Sequence, residues 1–170
     1  MRYVERALGV SLDYSPDTLS LLDHYTRSAS ADLAQRPEAR RLVASAVAAY
    51  FGEVIRRRYE AWWHAPDAAD PEGWQLRFDR IYLAIAPFAF AAAALDPDEA
   101  AGEGGLVLDE AERDDVAERL ALLPPVDPDE YRLPTTRYDV LEIVVDHLRA
   151  RAEARGLGDV SLGDADYDDA

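Results

Sequence analysis

The chain has 170 residues, 49% of them hydrophobic, with no cysteine and a formal net charge of -16. That length suits one domain with its own core, and the missing thiols exclude disulfides, thiolate metal sites and cysteine nucleophiles. Lysine and asparagine are absent too, so all 18 basic residues are arginine, which excludes Schiff-base chemistry, Ser-Lys pairs and a phosphate-loop lysine.

In chain order, Ser15-Pro16-Asp17 is a helix start: Ser in the capping position, Pro first in the helix and an acid in the first turn. Leu19, Leu22 and Tyr25 or Thr26 continue at helical spacing and predict a helix over about 16–29. Pro37 and Glu38 open a longer helix, carried by Leu42, Val43, Ala46, Val47, Tyr50, Phe51, Val54 and Ile55 to about Tyr59. Gly52 sits inside that pattern, where it costs about 1 kcal/mol relative to alanine. Something is therefore expected to pack closely against the backbone there. Residues 61–65 predict a short strand, PDAADPEG a linker, and Trp74, Leu76 and Phe78 an alternating strand. A third strand is expected over 81–85, giving an antiparallel meander of two or three strands whose apolar face needs helices to be stable. Pro87 opens a buried helix, and 95–105 reads as a loop. Asp109 with Glu112 caps a helix to about Leu122. Pro124, Pro125 and Pro128 stiffen a connector. Thr136 with Asp139 caps the last helix, which Gly156 ends. The fold class expected is α+β, one domain over 1–157 followed by an acidic, flexible tail over 158–170.

Tyr50-x-Gly52-Glu53-Val54-Ile55, then Trp62 or Trp63, an alternating strand and Pro87-Phe88 form a spaced pattern. Together with Leu12-Asp13-Tyr14-Ser15-Pro16 and Leu21-Leu22-Asp23, it resembles a group of small uncharacterised bacterial domains over about residues 8–95. In that group a Tyr-x-Gly-Glu helix enters a Trp-containing hairpin and then a Pro-Phe helix start. This chain departs from the group at Tyr59-Glu60-Ala61, where glycines are usual, and at Ala86, where asparagine is common. The resemblance implies an α+β domain and brings no activity with it.

Glu53 is a carboxylate on a largely apolar helix. Buried, it would serve as a general acid or base; the simpler role is an ion pair one turn on with Arg57. Arg56, Arg57 and Arg58 form a compact basic cluster suited to a carboxylate or phosphate, and Trp62, Trp63 and Trp74 are aromatic anchors for a binding surface. His24, His64 and His147 lack metal-ligand spacing, there is no Gly-x-Ser-x-Gly, and no glycine-rich phosphate loop is formed. Asp164, Asp166 and Asp168 match three offsets of a calcium loop, but Asp169 stands where glycine is needed. No metal or cofactor is expected.

Residues 1–95 hold 11 arginines and 12 acids, whereas 96–170 hold 7 and 22. An acidic half repels nucleic acid and anionic lipid and attracts a basic protein. No stretch approaches the ~20 apolar residues that span a bilayer, and MRYVERALGVSLDYS mixes charges into its apolar residues and lacks the run expected of a signal peptide. Composition points to a high-GC bacterial genome and a cytoplasmic protein. The leading reading is a non-enzymatic interaction module, accessory or immunity-like, for a basic protein partner. A small hydrolase or ligand-binding enzyme using Glu53, a histidine and Arg57 is the alternative, and a structural component of an assembly is the third.

Overall fold

The computed structural model describes residues 13–96 and 105–168. After a 3-10 turn at Pro16–Thr18, α1 spans Leu19–Leu33 and α2 Pro37–Arg58. Strands β1 (Ala61–His64), β2 (Gln75–Phe78) and β3 (Leu83–Ile85) follow, then α3 (Pro87–Leu95) and β4 (Leu106–Leu108). The chain closes with α4 (Glu110–Ala121), α5 (Pro128–Tyr131), α6 (Pro134–Ala154) and α7 (Asp164–Asp168). Most of the expected 95–105 loop, and the chain before Asp13 with Leu12 of the resemblance, lie outside the described residues.

The fold is α+β, as its patterning implies, but the sheet is larger than a two- or three-stranded meander. Four strands pair antiparallel in the order β1-β2-β3-β4. The addition is β4, which pairs Leu83 with Leu108, Ala84 with Val107 and Ile85 with Leu106. Three residues after a glycine-rich run carry too little alternation to read as a strand; pairing with β3 is what extends them.

Strand alternation divides the sheet into two unlike faces. Trp63, Leu76, Phe78, Leu83 and Ile85 point inward, and all but Trp63 are at most 1% exposed. On the outer face a single row crosses all four strands: Trp62, Arg77, Ala84 and Val107. Helix α2 packs on α3 and β1, while α1 and α6 also pack on α3. The short apolar α3, PFAFAAAAL, is thereby enclosed by helices, as its composition predicts.

The helix boundaries show which signals are local. Asp109 accepts a hydrogen bond from Ala111 N at 2.8 Å, so it caps α4 as expected. Glu112 does not complete the box, because its carboxylate turns to α6. Helix α6 starts at Pro134, ahead of the expected Thr136 cap, since Pro suits the first helical position. Its free N-terminal amide at Thr135 is bound at 3.0 Å by Asp23 Oδ1 of α1. At the other end Gly156 adopts φ 73°, Leu157 N donates to Ala152 O and Gly156 N to Glu153 O. That left-handed turn closes the helix as predicted.

The acidic tail, read from composition as a flexible extension, folds back across the sheet as far as Asp168. Leu162 N donates to Asp79 O, and Tyr167 is 8% exposed. Tyr167 is the one aromatic anchor of this acidic run.

Candidate functional site

The C-terminal turns of α2 gather most of the residues singled out by the sequence. Gly52 faces the Trp63 indole so closely that an added Cβ would lie 2.2 Å from Cη2 and 2.5 Å from Cζ2. The glycine is therefore the seat of an aromatic ring that joins helix to sheet. Trp63 meets Trp74 edge-on at 6.1 Å between centroids, and the Trp74 indole donates to Asp67 O at 2.8 Å. All three tryptophans are half-buried. Their first task is to fasten β1 and its following linker.

Glu53 is held by two arginines of its own helix. Arg56 donates to both carboxylate oxygens at 2.8 Å, and Arg57 Nε donates to Oε1 at 3.0 Å. These bonds, Arg56 first, lower the Glu53 pKa to about 2. The group is an ionised, doubly paired carboxylate, which opposes its use as a proton donor near neutrality. No histidine contacts it among the described residues. Arg57 also stacks 4.2 Å over the Tyr14 ring, which packs on Tyr50 at 4.8 Å. Tyr14 holds φ 63°, an uncommon conformation for a bulky residue, where its ring is trapped between the two. Arg58 reaches Glu142 of α6 at 3.8 Å.

This pairing has an acid-linked signature. The folded pKa of Glu53 lies below its unfolded value of about 4.3. Its stabilisation is therefore complete above about pH 4.3 and lost as pH falls toward about 2. Both arginines are about half exposed, so Glu53→Gln is expected to cost no more than about 1 kcal/mol at pH 7. Chemical denaturation of both proteins should show that difference vanishing between pH 4 and 2.

A second set of charges lies between α4 and α6. His147 Nε2 is 2.6 Å from Asp115 Oδ2, and Arg151 bridges Asp115 at 2.5 Å and Glu112 at 2.7 Å. Arg155 pairs with Glu112 as well. The sequence shows His147, Arg151 and Arg155 at four-residue spacing, but nothing local joins them to Glu112 and Asp115. This ladder borders a groove of about 240 Å³ floored by Leu148, Leu157, Val160 and Leu162. Its arginines all have carboxylate partners, so the ladder is a clamp between helices. Glu112 is buried, whereas Arg151 and Arg155 are 30% and 48% exposed. Glu112→Gln is expected to cost about 1 to 2 kcal/mol, less than for a fully buried pair, read as a lower urea midpoint at unchanged slope.

The outer sheet face carries the densest constellation. Arg77, 5% exposed, donates to Asp164 at 2.9 Å and to Asp168 at 3.1 Å. The Trp62 indole donates to the same Asp164 carboxylate at 3.0 Å, and His64 Nδ1 stands 3.5 Å from it. Trp62, then Arg77, holds the Asp164 pKa below the usual carboxylate range. Asp164 and Asp168 thus converge on one guanidinium, whereas Asp166 turns away to accept from Gly163 N at 2.8 Å. Tyr167 stacks on Tyr82 at 4.6 Å and sets its hydroxyl in the mouth of the β2–β3 hairpin. That hydroxyl accepts from Phe78 N at 3.1 Å and Leu83 N at 3.2 Å. It donates among the carbonyls of Phe78, Leu83 and Ile81, nearest Phe78 at 2.7 Å. The register pairs Leu76 with Ile85 and Arg77 with Ala84, so Phe78 and Leu83 are next in line. The tyrosine oxygen takes the place of their ladder bonds.

One more surface stands out. Leu122 is 76% and Val126 48% exposed. Asp114, Glu118 and Leu122 follow at four-residue spacing, and Glu110, Asp114, Glu118 and Asp127 have no ion-pair partner among the described residues. Arg113 and Arg119 are the bases on this helix. The signal in the sequence was an apolar pair, Leu122 and Leu123, between an acidic helix and Pro124-Pro125.

Among the described residues no group of three His, Cys, Asp or Glu side chains is placed to hold a metal ion. No described helix is long and apolar enough to cross a membrane. Compared with protein-family models, curated proteins and solved structures, the chain matches none of them.

Proposed function

We propose that the protein is a non-enzymatic interaction module of the cytoplasm, accessory or immunity-like, that takes a basic protein partner on α4 and the connector after it. The observation that carries this reading is Leu122 and Val126 exposed among carboxylates with no ion-pair partner. An apolar centre with a charged rim is the anatomy of a protein interface. The carboxylates accelerate encounter with a basic surface, and the apolar pair supplies the contact that excludes water. Action is by occlusion or scaffolding, with no bond chemistry.

The test is co-purification of the tagged full chain at low and high salt, with Asp114→Arg/Glu118→Arg beside it. A basic partner should be recovered at low salt, lost at high salt, and lost at low salt from the double variant. Both substituted residues are exposed, so thermal melting should be unchanged. A partner retained equally by the variant, or a chain that purifies alone under both conditions, overturns the reading.

A further inference from the structure

Helix α7 is five residues long, DADYD. Isolated helices shorter than about 12 residues are marginal in water, so the surface beneath orders it. That surface is built for its chemistry. Arg77 is buried in the sheet, and apart from Gln75 Oε1 at 3.4 Å its side-chain hydrogen bonds all go to residues of α7. Asp164 and Asp168, by contrast, remain 59% exposed. A buried guanidinium is tolerable only while carboxylates answer it. The hairpin mouth beside it turns Phe78 N and the carbonyls of Phe78 and Leu83 toward a phenolic oxygen, with Leu83 N shared between that oxygen and Ile81 O. Together they read a tyrosine with aspartates three residues before and one after.

The resident segment fills only part of this face. It covers the Trp62 and Arg77 end of the four-strand row, while Val107 at the far end stays 38% exposed. Tethering holds the resident through Gly156, Gly158 and Gly163 and a few polar contacts, among them Arg80 with Asp159 O at 3.1 Å. An incoming segment that made the same contacts and continued over Val107 would gain area that the resident lacks.

We infer that the outer face of the sheet is a recognition surface for acidic segments of the form Asp-x-x-Tyr-Asp, that residues 163–168 are its resident occupant, and that a partner protein displaying this spacing displaces them. This surface is distinct from the acidic α4 face and takes a partner of the opposite charge.

The test uses the full-length chain and a fluorescently labelled peptide of residues 158–170, GDVSLGDADYDDA, followed by anisotropy. Against the native chain the peptide competes with a tethered copy whose effective concentration is on the order of millimolar. Tyr167→Ala removes the resident anchor, and the peptide should then bind at least about tenfold more tightly. Adding Arg77→Gln should abolish that gain, and a peptide with Phe in place of its tyrosine should bind more weakly. Asp164→Asn/Asp168→Asn is a second opening variant that leaves the hairpin intact, and it should show the same gain even where Tyr167→Ala does not fold. Equal binding by the native and folded opened chains overturns the proposal. Asp114→Arg/Glu118→Arg should leave peptide affinity unchanged, so failure of either surface is seen separately.

Discussion

Tyr167→Phe is expected to lower the unfolding free energy by about 2 to 3 kcal/mol, because it removes one oxygen and strands several buried backbone groups. The ring contacts survive the change: the stack on Tyr82 and the edge contact with Trp62 at 5.8 Å do not involve the hydroxyl. The loss therefore reports the hydrogen bonds alone. Urea denaturation measures it, and a loss under about 0.5 kcal/mol would mean that Phe78 and Leu83 close their own ladder pair once the oxygen is gone. Alkali gives an independent reading. Burial pushes the Tyr167 pKa up to about 12, whereas an unfolded tyrosine titrates near about 10. The folded chain thus keeps a proton that the unfolded chain gives up. This stabilisation is complete below about pH 10 and lost as pH rises to about 12. Tyr59 and Tyr138 are raised by burial as well, so the readout is the native chain minus Tyr167→Phe across that window.

Gly52→Ala should change sign with its neighbour. In the native chain the new Cβ meets the Trp63 ring and lies 3.3 Å from Pro87 Cγ. Trp63 has little room to retreat, being set against Trp74. An approach as close as 2.2 Å puts the overpacking cost in the upper part of its range, about 2 to 3 kcal/mol, against which the better helix propensity of alanine returns only about 1. A net loss of about 1 to 2 kcal/mol is expected. In a Trp63→Ala background the ring is gone and only the 3.3 Å approach to Pro87 Cγ remains, so the same substitution should stabilise by up to about 1 kcal/mol. The coupling energy of the cycle is then about 2 to 3 kcal/mol, measured by denaturation of the four proteins. Equal effects in the two backgrounds would show that the glycine serves something other than the indole.

What could be read from the sequence was what its own neighbourhood determines. Pro37, Pro87 and Asp109 each mark a helix start within a residue, and Gly156 ends α6 in the left-handed turn its identity suggests; Ser15-Pro16 opens a 3-10 turn that leads into α1 only at Leu19, and Ser15 makes no side-chain cap. Gly52 announced a close approach, though only the fold shows that Trp63 makes it. Glu53 and Arg57 pair as their spacing implies, with Arg56 added. The illegible features depend on distant partners. The amide cap of α6 comes from Asp23, 112 residues upstream. Arg77 reads as the polar half of an alternating strand, and its burial comes from residues 87 and 91 positions later. Acidity argued for a flexible tail, because composition averages over a segment while docking is decided by particular side chains, Tyr167 in the hairpin and Asp164 and Asp168 on Arg77. Strand β4 exists because β3 had an open edge.

The hydroxyl wedged into the hairpin also divides the molecule's opening motions. Phe78 is 1% exposed, and by burial alone its amide hydrogen would exchange with deuterium only on global unfolding. Its acceptor, however, belongs to α7, not to a neighbouring strand. Unseating α7 frees that amide while the helices behind the sheet stay packed. Phe78 thus becomes a clock for a sub-global opening, ticking faster than Leu76 two residues away in the same strand.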